Sequence, residues 1–234
     1  VYDALFQDPR YKPSLVQKDL VDAGLLGRKS GQGFYDYRQG AERPSATLAP
    51  EGPRPEKIVV EGDLGVAGPL VELARSAGLT VETRDGDGII RIDGVRLALT
   101  DGRTATERAA DGEVRTVLFD LALDYATASR MALTKADQAG SDVIAAAAGF
   151  FQALGKSVSI IDDAPGLIVM RTVAMLANEA ADAVHHGVGT AEDVDLAMLK
   201  GVNYPRGPLA WAETVGLPKI VAVMDNLADA YGED

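Results

Sequence analysis

The sequence contains no cysteine, only two histidines and one tryptophan among its 234 residues. The absence of cysteine excludes disulfides, thiolate nucleophiles and thiolate metal sites, and it suits a reducing cytoplasm, the compartment expected for this chain. No apolar run approaches the roughly 20 residues that a bilayer-crossing helix needs. The chain opens Val1-Tyr2-Asp3, with neither a start methionine nor a basic-then-apolar leader, and so reads as a fragment rather than a natural start. Bases are outnumbered by acids, leaving a net charge of -12. That balance disfavours nucleic acid, whose phosphates are bound mainly by Lys and Arg, and it disfavours anionic membranes.

What is present divides by texture into three regions. In residues 1–38 a helix tail is expected at Val1–Phe6, and Ser14 can cap a helix with Leu15, Val16, Leu20 and Val21 on its apolar face. Gly24 fits the stop of that helix. A glycine-punctuated stretch, Gly27 to Tyr37, follows. Residues 39–56 carry Pro44, Pro50, Pro53 and Pro55 without periodicity and read as a linker.

Residues 57–161 alternate short β-branched runs with helical stretches, the pattern of a parallel sheet with crossover helices. Strands are predicted at Lys57–Val60, Leu79–Glu82, Ile89–Ile92, Val95–Leu99, Thr116–Phe119, Met131–Thr134 and Ser157–Ile161, with helices over Val66–Ala77 and Asp142–Leu154. Asp93-Gly94 between two strand runs predicts a tight antiparallel hairpin.

Residues 162–234 are helical throughout. Asp163 is expected to cap a long helix with Pro165 near its first turn and an apolar face of Leu167, Met170, Val173, Ala174, Ala177, Ala181 and Val184. Thr190-Ala191-Glu192-Asp193 fits a capping box, and Pro208 and Pro218 suit the first turns of two more helices. The end of the chain also repeats its beginning: Val223, Asp225 and Leu227 fall on Val1, Asp3 and Leu5. Read as a true repeat, this makes residues 1–38 the tail of one helical domain and residues 162–234 the head of a second copy.

Three segments together resemble the 3-hydroxyacyl-CoA dehydrogenase family. Gly27, Lys29, Ser30, Gly31, Gly33 and Phe34-Tyr35-Asp36-Tyr37 are similar to its G-x-K-[ST]-G-x-G-F-Y-D-Y ending. Leu154-Gly155-Lys156 and Asp163 to Arg171 resemble L-G-K and D-x-P-G-F-I-x-N-R. Tyr204 to Leu209 and Val215-Gly216-Leu217 resemble Y-P-x-G-P through D-x-x-G-L. The resemblance implies an α/β plus all-α fold, in which a degenerate Rossmann-like domain at 57–161 carries a helical domain of the family's C-terminal type. The order of segments is that of the long, duplicated bacterial members acting on substrates such as 3-hydroxyadipyl- or 3-hydroxybutyryl-CoA in acyl-CoA metabolism. By the same resemblance the parent enzyme uses NAD and an acyl-CoA substrate, has a separate N-terminal NAD domain, and associates as a homo-oligomer through its helical domains. Residues 1–38 are expected to pack on 162–234, within one chain or between two.

The chemistry of hydride transfer is expected to be missing here. Oxidising a 3-hydroxyacyl thioester needs a base titrating near neutrality, a role histidine fills when a carboxylate orients it. The family's His–Glu pair lies in its NAD domain, before the L-G-K motif. His185 and His186 lie after that motif near a helix end, so they read as surface residues, and no catalytic residue is assigned. Dinucleotide binding needs glycines at the pyrophosphate turn and an acid at the end of the second strand. Gly62, Gly65 and Gly68 with Glu82 are the candidates, but their G-x-x-G-x-x-G spacing has one residue too many and Asp63 would repel pyrophosphate. They read as vestigial, with a retained nucleotide- or acyl-CoA-binding module as the alternative.

Met170 stands where the family's substrate-contacting asparagine falls; it cannot donate an amide hydrogen bond and reads as core. Arg171 is expected to pair with an acid, and Trp211 to serve core or interface. Phe34, Tyr35 and Tyr37 read as an aromatic anchor after the Gly31/Gly33 turn. Glu192, Asp193 and Asp195 read as a solvated helix start, and no metal site is expected.

Overall fold

The computed structural model describes residues 2–42 and 44–232, which fall into two units, Val1–Ala46 and Thr47–Asp234. In the first unit, Ser14 caps helix α1 (Leu15–Asp22) through a capping box with Gln17. Ser30 ties the following turn, accepting from the Leu26 amide at 2.7 Å and donating to the Gln32 carbonyl at 2.8 Å. The helix tail expected at Val1–Phe6 is a single 3-10 turn over Asp3–Leu5 instead, and Val1 lies outside the described residues. Phe6 and Gln7 both adopt positive φ, which breaks a right-handed helix. No described residue of this unit is buried.

The second unit is built on a seven-stranded sheet: β1 (Lys57–Glu61), β2 (Thr80–Arg84), β3 (Ile89–Ile92), β4 (Val95–Leu99), β5 (Thr116–Phe119), β6 (Arg130–Lys135) and β7 (Ser157–Ile160), in spatial order β2-β1-β3-β4-β5-β6-β7. The sheet is mixed rather than parallel: β1/β2, β4/β5 and β6/β7 run parallel and the remaining pairs antiparallel. Local causes account for two of the three antiparallel pairs. The Asp93-Gly94 turn, with φ of 49° and 76°, reverses the chain between β3 and β4. The link between β5 and β6 contains no helix, and without a crossover the chain returns antiparallel.

Helix α2 (Pro69–Ser76) is shorter than the predicted Val66–Ala77, because Gly65–Ala67 forms a 3-10 turn and the α-helix begins only at Pro69. Helix α3 (Ala105–Ala110) precedes β5, and α4 (Ser141–Ala153) lies on the sheet with Ala146, Ala147, Ala148, Phe150 and Phe151 buried. Phe119, Phe151 and Phe150 meet edge to face with centroids 5.7 and 5.1 Å apart. The proline-rich stretch is tied to this core from Thr47 on. Ala49 donates to the Val158 carbonyl at 2.8 Å, Gly52 to Gln152 Oε1 at 2.8 Å, and Gln152 Nε2 to the Pro50 carbonyl at 2.9 Å.

The helical layer follows: α5 (Val169–His185), α6 (Ala191–Gly201), α7 (Pro208–Val215) and α8 (Leu217–Tyr231). Met170, Val173, Ala174 and Ala177 of α5 pack with Ala212 and Val215 of α7 and Ile220, Val223 and Leu227 of α8. Asp163 does not cap α5. Pro165, Gly166 and the left-handed Leu167 delay the helix to Val169, and Asp163 accepts the Ala105 and Thr106 amides of α3, both at 2.8 Å. The carboxylate at the start of α5 comes from Asp120, just past β5. Its oxygens accept from the amides of Ile168 at 3.0 Å, Val169 at 2.7 Å and Met170 at 3.0 Å. Asp195 likewise caps α7, accepting from Leu209 and Ala210, both at 2.9 Å. It is therefore a structural ligand of a neighbouring helix rather than a solvated charge.

Asp120 is 2% exposed, so an alanine there leaves several amides at the start of α5 without their acceptor. D120A is expected to destabilise the second unit by about 3 kcal/mol, and D120N, which keeps one acceptor oxygen, by less. Urea denaturation midpoints read the difference; a D120A loss below about 1 kcal/mol would mean that the carboxylate does not hold the helix.

Candidate functional site

Of the residues that could carry nucleotide chemistry, those of the glycine turn after β1 are brought together, and the loop after β2 packs against that turn. Gly62 has φ of 73° and donates to the Arg84 carbonyl at 2.9 Å. The loop after β2 folds over it, with Gly88 donating to the Glu61 carbonyl at 2.7 Å. A methyl group on Gly62 would stand 2.0 Å from the Gly86 carbonyl oxygen, and one on Gly88 would stand 2.5 Å from that of Asp63. One on Gly86 would stand 2.6 Å from Glu61 Cβ. These glycines permit backbone to lie against backbone, where a dinucleotide site requires backbone to lie against pyrophosphate.

The rest of the turn is committed in the same way. Asp63 accepts the Gly65 amide at 2.8 Å, and a methyl on Gly65 would meet the Lys219 ammonium at 2.7 Å. Gly68 precedes Pro69, whose ring removes one of the amides a helix N-terminus would offer a phosphate. Glu82 pairs with Lys57 at 2.6 Å between strands β2 and β1. Glu61 is held by Arg84 and by Arg91 Nε at 2.8 Å, and Arg91 continues to Glu113 at 2.8 Å, holding the Glu113 carboxyl below its ordinary pKa.

The other candidates are dispersed. His185 and His186 are exposed at the C-terminal end of α5, where His186 Nδ1 lies 2.9 Å from the Asp182 carbonyl oxygen. No cluster of potential metal ligands occurs among the described residues. Met170 is 1% exposed in the helical core. Among the described residues Arg171 pairs with no acid: its guanidinium donates to the Pro165 carbonyl at 3.0 and 2.7 Å and to the Tyr231 hydroxyl, and lies 5.1 Å from that ring's centroid. The pairing expected from sequence gives way because the displaced start of α5 brings a free carbonyl within reach. Trp211 is half-buried against the helical core, and with Val66, Leu121, Leu123, Tyr125 and Arg206 it lines a cavity of about 240 Å3 at the ends of β1 and β5.

In the first unit, Arg28, Tyr35, Asp36, Tyr37 and Arg38 line an open cavity of about 600 Å3. Tyr35 and Tyr37 meet at right angles with centroids 6.4 Å apart, and the Arg28 guanidinium lies 5.2 Å from the Tyr37 ring. Phe34, Tyr35 and Tyr37 are all exposed.

Sequence reasoning missed Asp120 and the role of Lys156. Lys156 is 5% exposed, and its ammonium donates to the Tyr125 and Ala128 carbonyls, both at 2.7 Å, which fixes the loop beside the smaller cavity. Burial pushes its pKa down. A signal existed for each: an acid directly after the apolar run Val117-Leu118-Phe119, and a lysine inside a resembling motif.

The geometry is matched by the comparisons. A model of the 3-hydroxyacyl-CoA dehydrogenase C-terminal domain matches residues 1–37 and 166–234, and a model of the 3-hydroxybutyryl-CoA dehydrogenase reduced Rossmann-fold domain matches residues 97–165. A 3-hydroxyadipyl-CoA dehydrogenase of Escherichia coli K12 is 37% identical over 234 residues, covering all of this chain and 44% of the relative. A 3-hydroxybutyryl-CoA dehydrogenase of Bradyrhizobium diazoefficiens is 36% identical over 84 residues, or 36% of this chain and 29% of the relative. The crystal structure of an Escherichia coli 3-hydroxybutyryl-CoA dehydrogenase superposes with a TM-score of 0.80 and 34% identity, again over all of this chain and 44% of that one. The chain thus spans less than half the length of the long relative it follows from end to end. It belongs to the 3-hydroxyacyl-CoA dehydrogenase family.

Proposed function

We propose that this chain is the structural, interface-forming C-terminal part of an NAD-dependent 3-hydroxyacyl-CoA dehydrogenase, and that it is inactive by itself. In this reading the parent enzyme oxidises 3-hydroxyacyl-CoA to 3-oxoacyl-CoA in the cytoplasm, and an NAD domain outside these residues transfers the hydride. Residues 57–161 are then a degenerate nucleotide domain standing between the tail of one helical domain, 1–38, and the head of another, 162–234. The helical domains are the surface through which the enzyme associates with itself.

The observation that carries the reading is the loop of Gly86 and Gly88 seated on Gly62 and Asp63, which puts protein backbone where a pyrophosphate would have to approach. This packing supports a turn that takes no NAD, and no step of hydride transfer is assigned to this chain. The alternative, a module that binds acyl-CoA or nucleotide, is favoured only by the cavity beside Trp211 and Arg206. At about 240 Å3 that cavity is below the ~300–1,000 Å3 usual for drug-sized ligands.

Calorimetry with NAD, NADH and acetoacetyl-CoA at millimolar concentration is expected to give no binding, and NADH absorbance no turnover of acetoacetyl-CoA. Saturable heat or clear turnover by the pure chain would overturn the proposal. The seating of the loop has its own test in two glycine substitutions. Gly78 also has positive φ, at 80°, but a methyl there meets nothing within 4 Å, so G78A is expected to cost only about 1 kcal/mol. G62A adds a clash with fixed backbone and is expected to cost about 3 kcal/mol. Equal midpoints for the two variants in urea would show that the loop does not close the turn.

A further inference from the structure

Arg91, Arg96, Arg103 and Arg108 gather where β3 and β4 meet α3, and the acids near them are unevenly shared. In the strand register Arg91 stands directly opposite Arg96. Glu113 reaches both, but Arg91 takes its two oxygens, at 3.2 and 2.8 Å. Asp101 is taken in the same way by Arg103, whose Nε and Nη2 donate to one oxygen at 3.2 and 2.8 Å while its amide donates to the other at 3.2 Å. Arg96 and Arg108 are left over. Arg96 Nε stands 3.7 Å from Glu113 and Arg108 Nη1 stands 3.8 Å from Asp101, both beyond hydrogen-bond length.

Both of these guanidiniums are withdrawn from solvent, with side chains 18% and 9% exposed. A guanidinium carries five N–H donors. Among the described residues, one hydrogen bond leaves the two side chains together, from Arg108 Nη1 to the Leu99 carbonyl at 3.2 Å, and the Nε of each is buried with no acceptor. The field around Arg108 is poorly balanced as well. Burial pushes its pKa down, and Arg96 and Arg103 repel its charge while Asp101 and Asp111 attract it. A buried cation needs both a counter-charge and hydrogen-bond acceptors. Water would supply acceptors but leave the repulsion between Arg96 and Arg108, whereas an anion with several oxygens answers both needs.

We propose that Arg96 and Arg108 hold a small oxyanion of the phosphate class between β4 and α3. Its oxygens accept from the two Nε–H groups and from free Nη–H groups of both arginines, so charge-assisted hydrogen bonds replace a repulsion. The low exposure of Arg108 suits one compact ion, which favours inorganic phosphate over a larger phosphomonoester. Asp101, Asp111 and Glu113 stay in the same group of charges, so the expected affinity is millimolar. The pair is separate from the glycine turn, and the proposal holds whether or not the chain binds NAD.

The test follows the Nε–H resonances of Arg96 and Arg108 in the intact chain by NMR, assigned from the spectra of R96K and R108K, as inorganic phosphate replaces sodium chloride at constant ionic strength. Both are expected to shift together and to saturate. In urea, phosphate is expected to raise the midpoint of the unsubstituted chain above the chloride control. R96Q and R108Q are expected to weaken phosphate binding about tenfold or more, and R130Q, at an exposed arginine of β6, to leave it unchanged. Glycerol 3-phosphate separates the sources: no shift with it assigns the free ion, and shifts as strong as those with phosphate assign a phosphomonoester. Resonances that stay in place throughout the phosphate series would overturn the proposal and leave the pair to water. So would an equal response from R96Q and the unsubstituted chain. If R108Q does not fold, the resonances of the unsubstituted chain and the response of R96Q still decide. None of these readouts uses NADH, so failure here leaves the functional reading standing.

Discussion

The carboxylate of Asp120 joins the two halves of the second unit. It sits at the end of a strand whose four residues are all buried, and it receives the amides of Leu121, Ile168, Val169 and Met170. A buried carboxylate needs several donors, and the start of a helix needs an acceptor carrying negative charge, so each requirement satisfies the other. With the first turn of α5 fixed at the end of β5, the face bearing Met170, Val173 and Ala177 turns toward α7 and α8, and Leu121 becomes part of that helical core. Asp163 at α3 and Asp195 at α7 repeat the device. Three of the acids behind the net charge of -12 are thus spent on helix starts far away in sequence.

The glycine turn after β1 shows backbone packed against backbone. Glycine permits close approach, but the identity of what approaches is decided elsewhere, here by Gly86 and Gly88 on the next loop. The acids nearby follow the same logic: Glu61 and Glu82 are neutralised by Arg84, Arg91 and Lys57, so the ends of β1 and β2 are held by ion pairs. Residues 97–165, matched by the reduced Rossmann model, contain β5, α4 and the buried aromatic cluster of Phe119, Tyr125, Phe150 and Phe151, whereas the glycine turn lies outside that match.

Much of this was legible in the sequence wherever the cause is local. The Asp93-Gly94 hairpin, the cap at Ser14, the capping box at Thr190 and the first-turn prolines at 208 and 218 are each decided within a few residues, and each forms as expected. What escaped depends on distant partners. Asp163 was in sequence reach of α5 but is taken by α3, and Asp120 reaches α5 from some fifty residues away. Arg171 finds a carbonyl and a tyrosine rather than an acid. Nothing in residues 62–68 foretells that a second glycine pair, Gly86 and Gly88, packs against the turn.

The closure of that turn is tested most directly by the amide resonances of Gly62, Gly65, Gly86 and Gly88 in the intact chain, followed by NMR as NADH is added to millimolar concentration. Resonances that stay in place are the expected result, because backbone already packs against the turn. Saturable shifts clustered on those four glycines would contradict it.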